Sequence, residues 1–147
     1  MFKHILIPTD GSPVSTKAVK AGIALAKETG ARVTGYYAVD PVPAHLYGEG
    51  YIADERMVAE FERRNRAAAK KLVAGIAREA QKAGVPFEPM VQTARTPYEG
   101  IVEAAKKRKC DLILMSSHGR RGFMRLTLGS VADKVIQLSR IPVLVYR

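Results

Sequence analysis

The 147-residue chain fits one domain, and its core is large enough to need neither disulfides nor metals. Its 47% hydrophobic and 26% charged residues are those of a soluble globular protein, and its single cysteine, Cys110, excludes an internal disulfide, fits a reducing compartment and leaves no Cys/His spacing for structural zinc. A formal net charge of +10 attracts anions (nucleotides, nucleic acid or acidic surfaces) without choosing among them.

The opening MFKHILIPTDGS carries an apolar run, His4–Pro8, that meets Pro8 and Asp10 too soon for a signal peptide. No run approaches the ~20 apolar residues of a membrane helix. The expectation is a soluble, cytoplasmic protein whose first strand is His4–Pro8. A helix from about Ser12 to Thr29 follows, with Ala18, Ala21, Gly22 and Leu25 on one face and Gly30 as its C′ residue. Val33–Val39 reads as the second strand. Asp40–Gly50, DPVPAHLYGEG, is the one long irregular piece, and loops of that length are often functional.

A second helix is expected from about Tyr51 to Ala83, with Val58, Phe61, Ala68, Leu72 and Ile76 as its apolar stripe and Gly84 and Pro86 as its stop. Phe87–Gln92 is the third strand. Thr96-Pro97-Tyr98-Glu99 then carries the best helix start in the chain: Thr96 as cap, Pro97 in the first turn, and Glu99 completing a capping box. Leu112–Ser116 is the fourth strand, and its run of apolar residues without alternation marks it as covered on both faces. A fourth helix, about Ser130 to Ser139, turns Val131, Val135 and Leu138 inward, and Val143–Tyr146 closes the chain as the fifth strand.

Strands alternating with helices imply an α/β fold with a parallel sheet, right-handed crossovers and helices on both faces. Ligands of such sheets bind beyond the carboxyl ends of the strands, where the strand order reverses. Thr9-Asp10-Gly11-Ser12 lies beyond the first strand, and Ser117-His118-Gly119-Arg120-Arg121-Gly122 beyond the fourth. In the second group, Gly119 and Gly122 let the backbone turn tightly, and Gly129-Ser130 opens a helix whose free N–H groups attract anions. Ser130 can cap that helix or donate to a phosphate, while Arg120, Arg121 and Arg125 add positive charge. A glycine-rich surface turn before a capped helix accounts for the same residues.

Asp10 is either a turn residue or an acceptor for ribose or an adenine amino group. His118 is a general base, a phosphate donor, or a structural or exposed turn histidine. Cys110 and Met115 read as packed residues, Met115 also as site-lining. No Ser-His-Asp set is justified by spacing, and G-x-x-x-x-G-K-[ST] is absent. Gly48-Glu49-Gly50-Tyr51-Ile52-Ala53 matches a loose dinucleotide pattern in the wrong place and is set aside.

Ile5-Leu6-Ile7-Pro8-Thr9-Asp10-Gly11-Ser12 at the start and Ile141-Pro142-Val143-Leu144-Val145-Tyr146 at the end resemble the first and last strands of small universal stress proteins. Ser116-Ser117-His118-Gly119, nine residues, then Gly129-Ser130 resembles the G-x2-G-x9-G-[ST] motif of that family's ATP-binding members, with Ser116 where the motif has its first glycine. The resemblance covers essentially the whole chain. It implies one universal stress protein domain over residues 1–147, Rossmann-like and of the adenine nucleotide alpha hydrolase type, with sheet order 3-2-1-4-5 and the cleft between the first and fourth strands.

By the same resemblance, Asp10 contacts the adenosine with Pro8 and Thr9 beside it. Ala38 lines the adenine pocket, and Gly119, Arg120, Gly129, Ser130 and Val131 surround ribose and phosphates. Met115, Ser116 and His118 complete the candidate site. The implied ligand is ATP, with or without Mg²⁺ and with no dedicated metal site. The implied assembly is a homodimer through the last strand, Val143, Leu144, Val145 and Tyr146. The leading reading is a nucleotide-dependent stress-response or signalling module with no catalytic residues. A slow ATPase ranks below it for want of a general base. A nucleic-acid binder using Arg63, Arg64, Arg66, Lys70 and Lys71 also ranks below it, since a solvated helix face explains those charges.

Overall fold

In the computed structural model, residues 1–47, 54–119 and 127–147 are described. The elements are β1 (His4–Pro8), α1 (Pro13–Thr29), β2 (Arg32–Val39), a 3₁₀ turn (Ala44–Leu46), α2 (Glu55–Ala83), β3 (Phe87–Thr93), α3 (Pro97–Lys107), β4 (Leu112–Ser116), α4 (Ser130–Leu138) and β5 (Val143–Tyr146). The sheet order is β3-β2-β1-β4-β5 with every pair parallel, so the order reverses between β1 and β4.

Strand periodicity divides the core between the two faces of the sheet. Ile5, Ile7, Val33, Leu112 and Leu114 meet α1 and α2 through Val19, Ile23 and Ile76. Leu6, Tyr36, Met90, Ile113 and Met115 meet α3 and α4 through Ile101, Val102 and Val135. β1 and β4 are buried along their whole length, which is why both read as unbroken apolar runs. Burying each Ile or Leu contributes about 1.5–3 kcal/mol, so these two central strands anchor the molecule.

The helix ends follow their caps. Ser12 Oγ accepts the Ser15 N–H (3.2 Å), and Gly30 closes α1 in the left-handed region (φ 67°). α2 begins at Glu55 rather than near Tyr51, because Asp54 caps it by accepting the Arg56 N–H at 3.0 Å; residues 51–53 lie outside the described ones. The expected capping box of α3 does not form. Thr96 Oγ1 donates to the Glu99 carboxylate itself (2.7 Å), and the residue makes no side-chain cap bond. The inner face of α2 is Ala69, Val73, Ile76 and Ala80; Ile76 lies on it as expected, while Ala68 is exposed and Leu72 half-buried, one position off that face. Leu138, expected to face inward, is 51% exposed, while Val135 is fully buried.

Candidate functional site

The paired residues end early at the switch point. β1 pairs with β4 only at Ile5↔Leu112 and Leu6↔Ile113, although β1 runs on to Pro8 and β4 to Ser116. Along β2, Arg32 N–H donates to Lys3 C=O and Tyr36 C=O accepts from Thr9 N–H, so even-numbered residues bond toward β1. Val33 N–H donates to Pro86 C=O, and Val39 C=O accepts from Ala94 N–H, so odd-numbered residues bond toward β3. Ala38 therefore directs its N–H and C=O to the β1 side, two residues past Tyr36, the last partner of Pro8. At that level the chain has already left the sheet into the turn before α1.

That turn is tied down internally. Thr9 Oγ1 accepts the Gly11 N–H (3.1 Å) and lies 3.1 Å from Ser15 Oγ, and Asp10 Oδ1 accepts the Ser12 N–H (2.9 Å). The other Asp10 oxygen lies against Gly119: a Cβ on Gly119 would sit 2.6 Å from Oδ2. Asp10, after β1, and Gly119, after β4, thus meet across the switch point, and the absence of a side chain at Gly119 makes room for the carboxylate.

The β4 side is closed by serines. Ser116 Oγ donates to His118 C=O (2.7 Å), and Ser117 Oγ lies 3.0 Å from His118 Nδ1. The Gly129 N–H donates to Ser117 C=O (2.8 Å), which draws the start of α4 back against the end of β4. A Cβ on Gly129 would stand 2.7 Å from that carbonyl oxygen, so the position requires glycine. Ser116 is 8% and Ser117 4% exposed. His118 Nε2 is buried and has no hydrogen-bond partner among the described residues.

α4 opens at Ser130 with Gly129 as its N-cap, so Ser130 is the first helical residue and does not cap, and no side chain makes a cap bond there. The positive end of the helix dipole lies at this first turn. Ala38, Leu128 and Val131 pack half-buried against the cluster that holds Met115 and Tyr36. By strand alternation Pro8 and Met115 share this face, whereas Ser116 lies on the other. Burial pushes the Tyr36 hydroxyl up to about 12, so it stays neutral beneath the site. The same cause pushes the Cys110 thiol up to about 12, in keeping with a packed and unreactive cysteine.

The structure thus brings together Pro8, Thr9, Asp10, Ala38, Met115, His118, Gly119, Gly129, Ser130 and Val131 around one end of the sheet, with Ser116 bonded into the same loop. Arg120, together with Arg121, Gly122 and Arg125, lies outside the described residues. Sequence reasoning passed over Ser117, whose carbonyl fixes Gly129. Its only signal was its place between the two halves of the glycine motif.

The family model described as Universal stress protein family matches residues 1–147. The chain belongs to this family. Universal stress protein MJ0531 of Methanocaldococcus jannaschii is 39% identical over 148 residues, covering 100% of this chain and 83% of that protein. The solved structure of hypothetical protein MJ0577, a universal stress protein of the same organism, has a TM-score of 0.82 at 29% identity, covering 99% of this chain and 95% of that one. A universal stress protein solved in complex with cAMP has a TM-score of 0.69 over 99% of this chain and 97% of that one; at 24% identity the likeness is one of fold. Among the described residues, no helix is long and apolar enough to cross a membrane.

Proposed function

We propose that this universal stress protein binds an adenine nucleotide, ATP, in the cleft between β1 and β4, and acts as a nucleotide-dependent regulatory module. One observation carries the reading: the N–H and C=O of Ala38 face the space that β1 vacates. Adenine presents an amino donor beside a ring-nitrogen acceptor, and one residue offering a carbonyl and an amide in the plane of the sheet matches that edge. Asp10, held against Gly119, is placed to accept from the ribose hydroxyls. The first turn of α4, with His118 beside it, faces the phosphates. Mg²⁺ accompanying ATP is held chiefly by phosphate oxygens. A second copy of the chain pairs along β5.

The test is calorimetric titration of the full chain with ATP, ADP, AMP, cAMP and GTP, alongside Gly119→Ala. Wild type is expected to bind ATP saturably well below millimolar and in preference to GTP. The added methyl meets the mobile end of a carboxylate, not backbone, so the variant folds, but it displaces Asp10. Losing that charged acceptor weakens ATP by about tenfold or more. No binding by wild type below millimolar removes the reading, and an unchanged affinity in Gly119→Ala removes Asp10 from it.

A further inference from the structure

On the face of the sheet opposite Ala38 and Met115, a cavity of about 810 Å³ opens between α1 and the middle of α2. Its origin lies in α2. That helix has 29 residues and is about 43 Å long at 1.5 Å per residue, far longer than the strands beneath it. Its buried residues all fall within Ala69–Ala80. The neighbouring stripe is apolar but is not taken up by the sheet. Where it faces α1 it carries Ala68 and Gly75, too small to fill the gap, and a Cβ on Gly75 would meet nothing closer than Arg78 Nη2 at 3.8 Å.

The floor of the cavity is apolar, formed by Val19, Val39, Leu72 and Ile76. Its mouth carries three cations, Lys20 from α1 and Lys71 and Arg78 from α2, all exposed at their heads. Two carboxylates line it as well. Glu79 is paired with Lys82 at 3.2 Å, which leaves Asp40 as the one acid opposing three bases. Long cationic side chains lie along apolar surface and hold their charge at its edge, so the groove offers an apolar trough with an anion-attracting rim. Its volume is in the range of small-molecule sites.

We propose that this groove is a second binding site, for an amphipathic organic anion whose hydrocarbon body lies on Val19, Val39, Leu72 and Ile76 and whose head group meets Lys20, Lys71 and Arg78. The groove opens on the other face of the sheet from Ala38 and Met115, and it shares Thr9 and Gly11 of the turn after β1 with the nucleotide reading.

The probe is decanoate, titrated into the full chain by calorimetry, with decanol and decyltrimethylammonium as the uncharged and cationic counterparts. Decanoate is expected to bind saturably, one per chain, at submillimolar concentration, more tightly than decanol and far more tightly than the cation. Ala68→Leu fills the trough with a good helix former and is expected to abolish decanoate binding while the thermal midpoint holds or rises. Changing Lys20, Lys71 and Arg78 together to Gln touches only exposed heads; it is expected to weaken decanoate roughly fivefold to tenfold and leave decanol unchanged. The proposal is overturned by no saturable decanoate binding by wild type, by equal affinity for the three probes, or by undiminished binding in both variants. Displacement of decanoate by stoichiometric ATP also overturns it, because the groove is then part of the nucleotide cleft.

Discussion

Ser116 is the residue at which this chain departs from the glycine motif it otherwise follows. A glycine there frees the backbone; a serine restricts it and brings a hydroxyl. The structure turns that hydroxyl onto His118 C=O at 2.7 Å, on the face of β4 opposite Met115, so it braces the loop from the face away from Met115. Restoring the family glycine by Ser116→Gly is therefore expected to weaken ATP binding, not strengthen it. The loss is roughly twofold to tenfold, the contribution of one net hydrogen bond, and titration of the variant beside wild type measures it. Tighter binding by the glycine variant contradicts the bracing role. The position was visible in the sequence as a departure, but the direction of its side chain was not. That direction follows from strand register, which places Ser116 with Leu112 and Leu114 and against α1.

At the scale of elements, β1, β2, β3 and the end of α3 are laced together at the N-terminal end of the strands, opposite the switch-point end. His4 Nε2 lies 2.8 Å from Thr34 Oγ1, and Thr34 donates to Glu88 at 3.0 Å. Glu88 also accepts from Arg108 at 3.1 Å. Asp111 accepts the N–H groups of Lys3 and His4 at 2.8 and 3.0 Å. Burial, then the charge of Arg32, holds the His4 pKa below its ordinary 6.5, although Glu88 and Asp111 pull the other way. Below pH 6.5 the unfolded chain therefore takes up the His4 proton before the folded one. Stability is full above that pH and falls as pH drops below it, with a slope of at most ~1.4 kcal/mol per unit for one proton. Asp111 has the opposite chemistry and the same outcome. Its pKa is lowered by the two amides despite the opposing effect of burial, so its contribution holds above 3.8 and is lost as pH falls through the folded value. Urea unfolding from pH 7.5 to 4.5 is expected to show the first decline in wild type and a flat profile in His4→Gln. Equal slopes in the two proteins assign the decline to other groups. None of this network was legible in the sequence, because it joins residues 4, 34, 88 and 108 through strand pairing. The strands themselves were legible, since burial on both faces leaves contiguous apolar runs. The stripe of α2 was right at Ile76 but one position off at Ala68 and Leu72, where the buried residues are Ala69 and Val73; periodicity counts all four as apolar and does not choose between them.

At the scale of the whole molecule, the sheet has two edges, β3 and β5, and the β5 edge is apolar, with exposed apolar residues on the helix before it. Leu144 and Tyr146 are 38% and 37% exposed, and Ile136 and Leu138 of α4 are 44% and 51% exposed. The ladder with β4 uses the even-numbered positions of this strand, since Pro142 C=O and Tyr146 C=O accept from Ile113 and Ser117. Val143 and Val145 therefore turn their N–H and C=O outward. A second copy related by a two-fold axis can meet them in antiparallel register, with the four apolar side chains closing over the seam. Ser117 bonds both to the end of β5 and to Gly129, so the β5 edge and the start of α4 share one loop. Val145→Pro isolates the edge: proline removes one outward donor and fits an edge strand without touching the β4 ladder. Sedimentation equilibrium is expected to give a dimer for wild type and a dimer dissociation constant at least about tenfold higher for the variant, the loss of one amide donor from each protomer at a desolvated seam. Far-ultraviolet circular dichroism should be unchanged. A wild type that stays monomeric at high concentration, or a variant that dimerises as well as wild type, excludes pairing through β5.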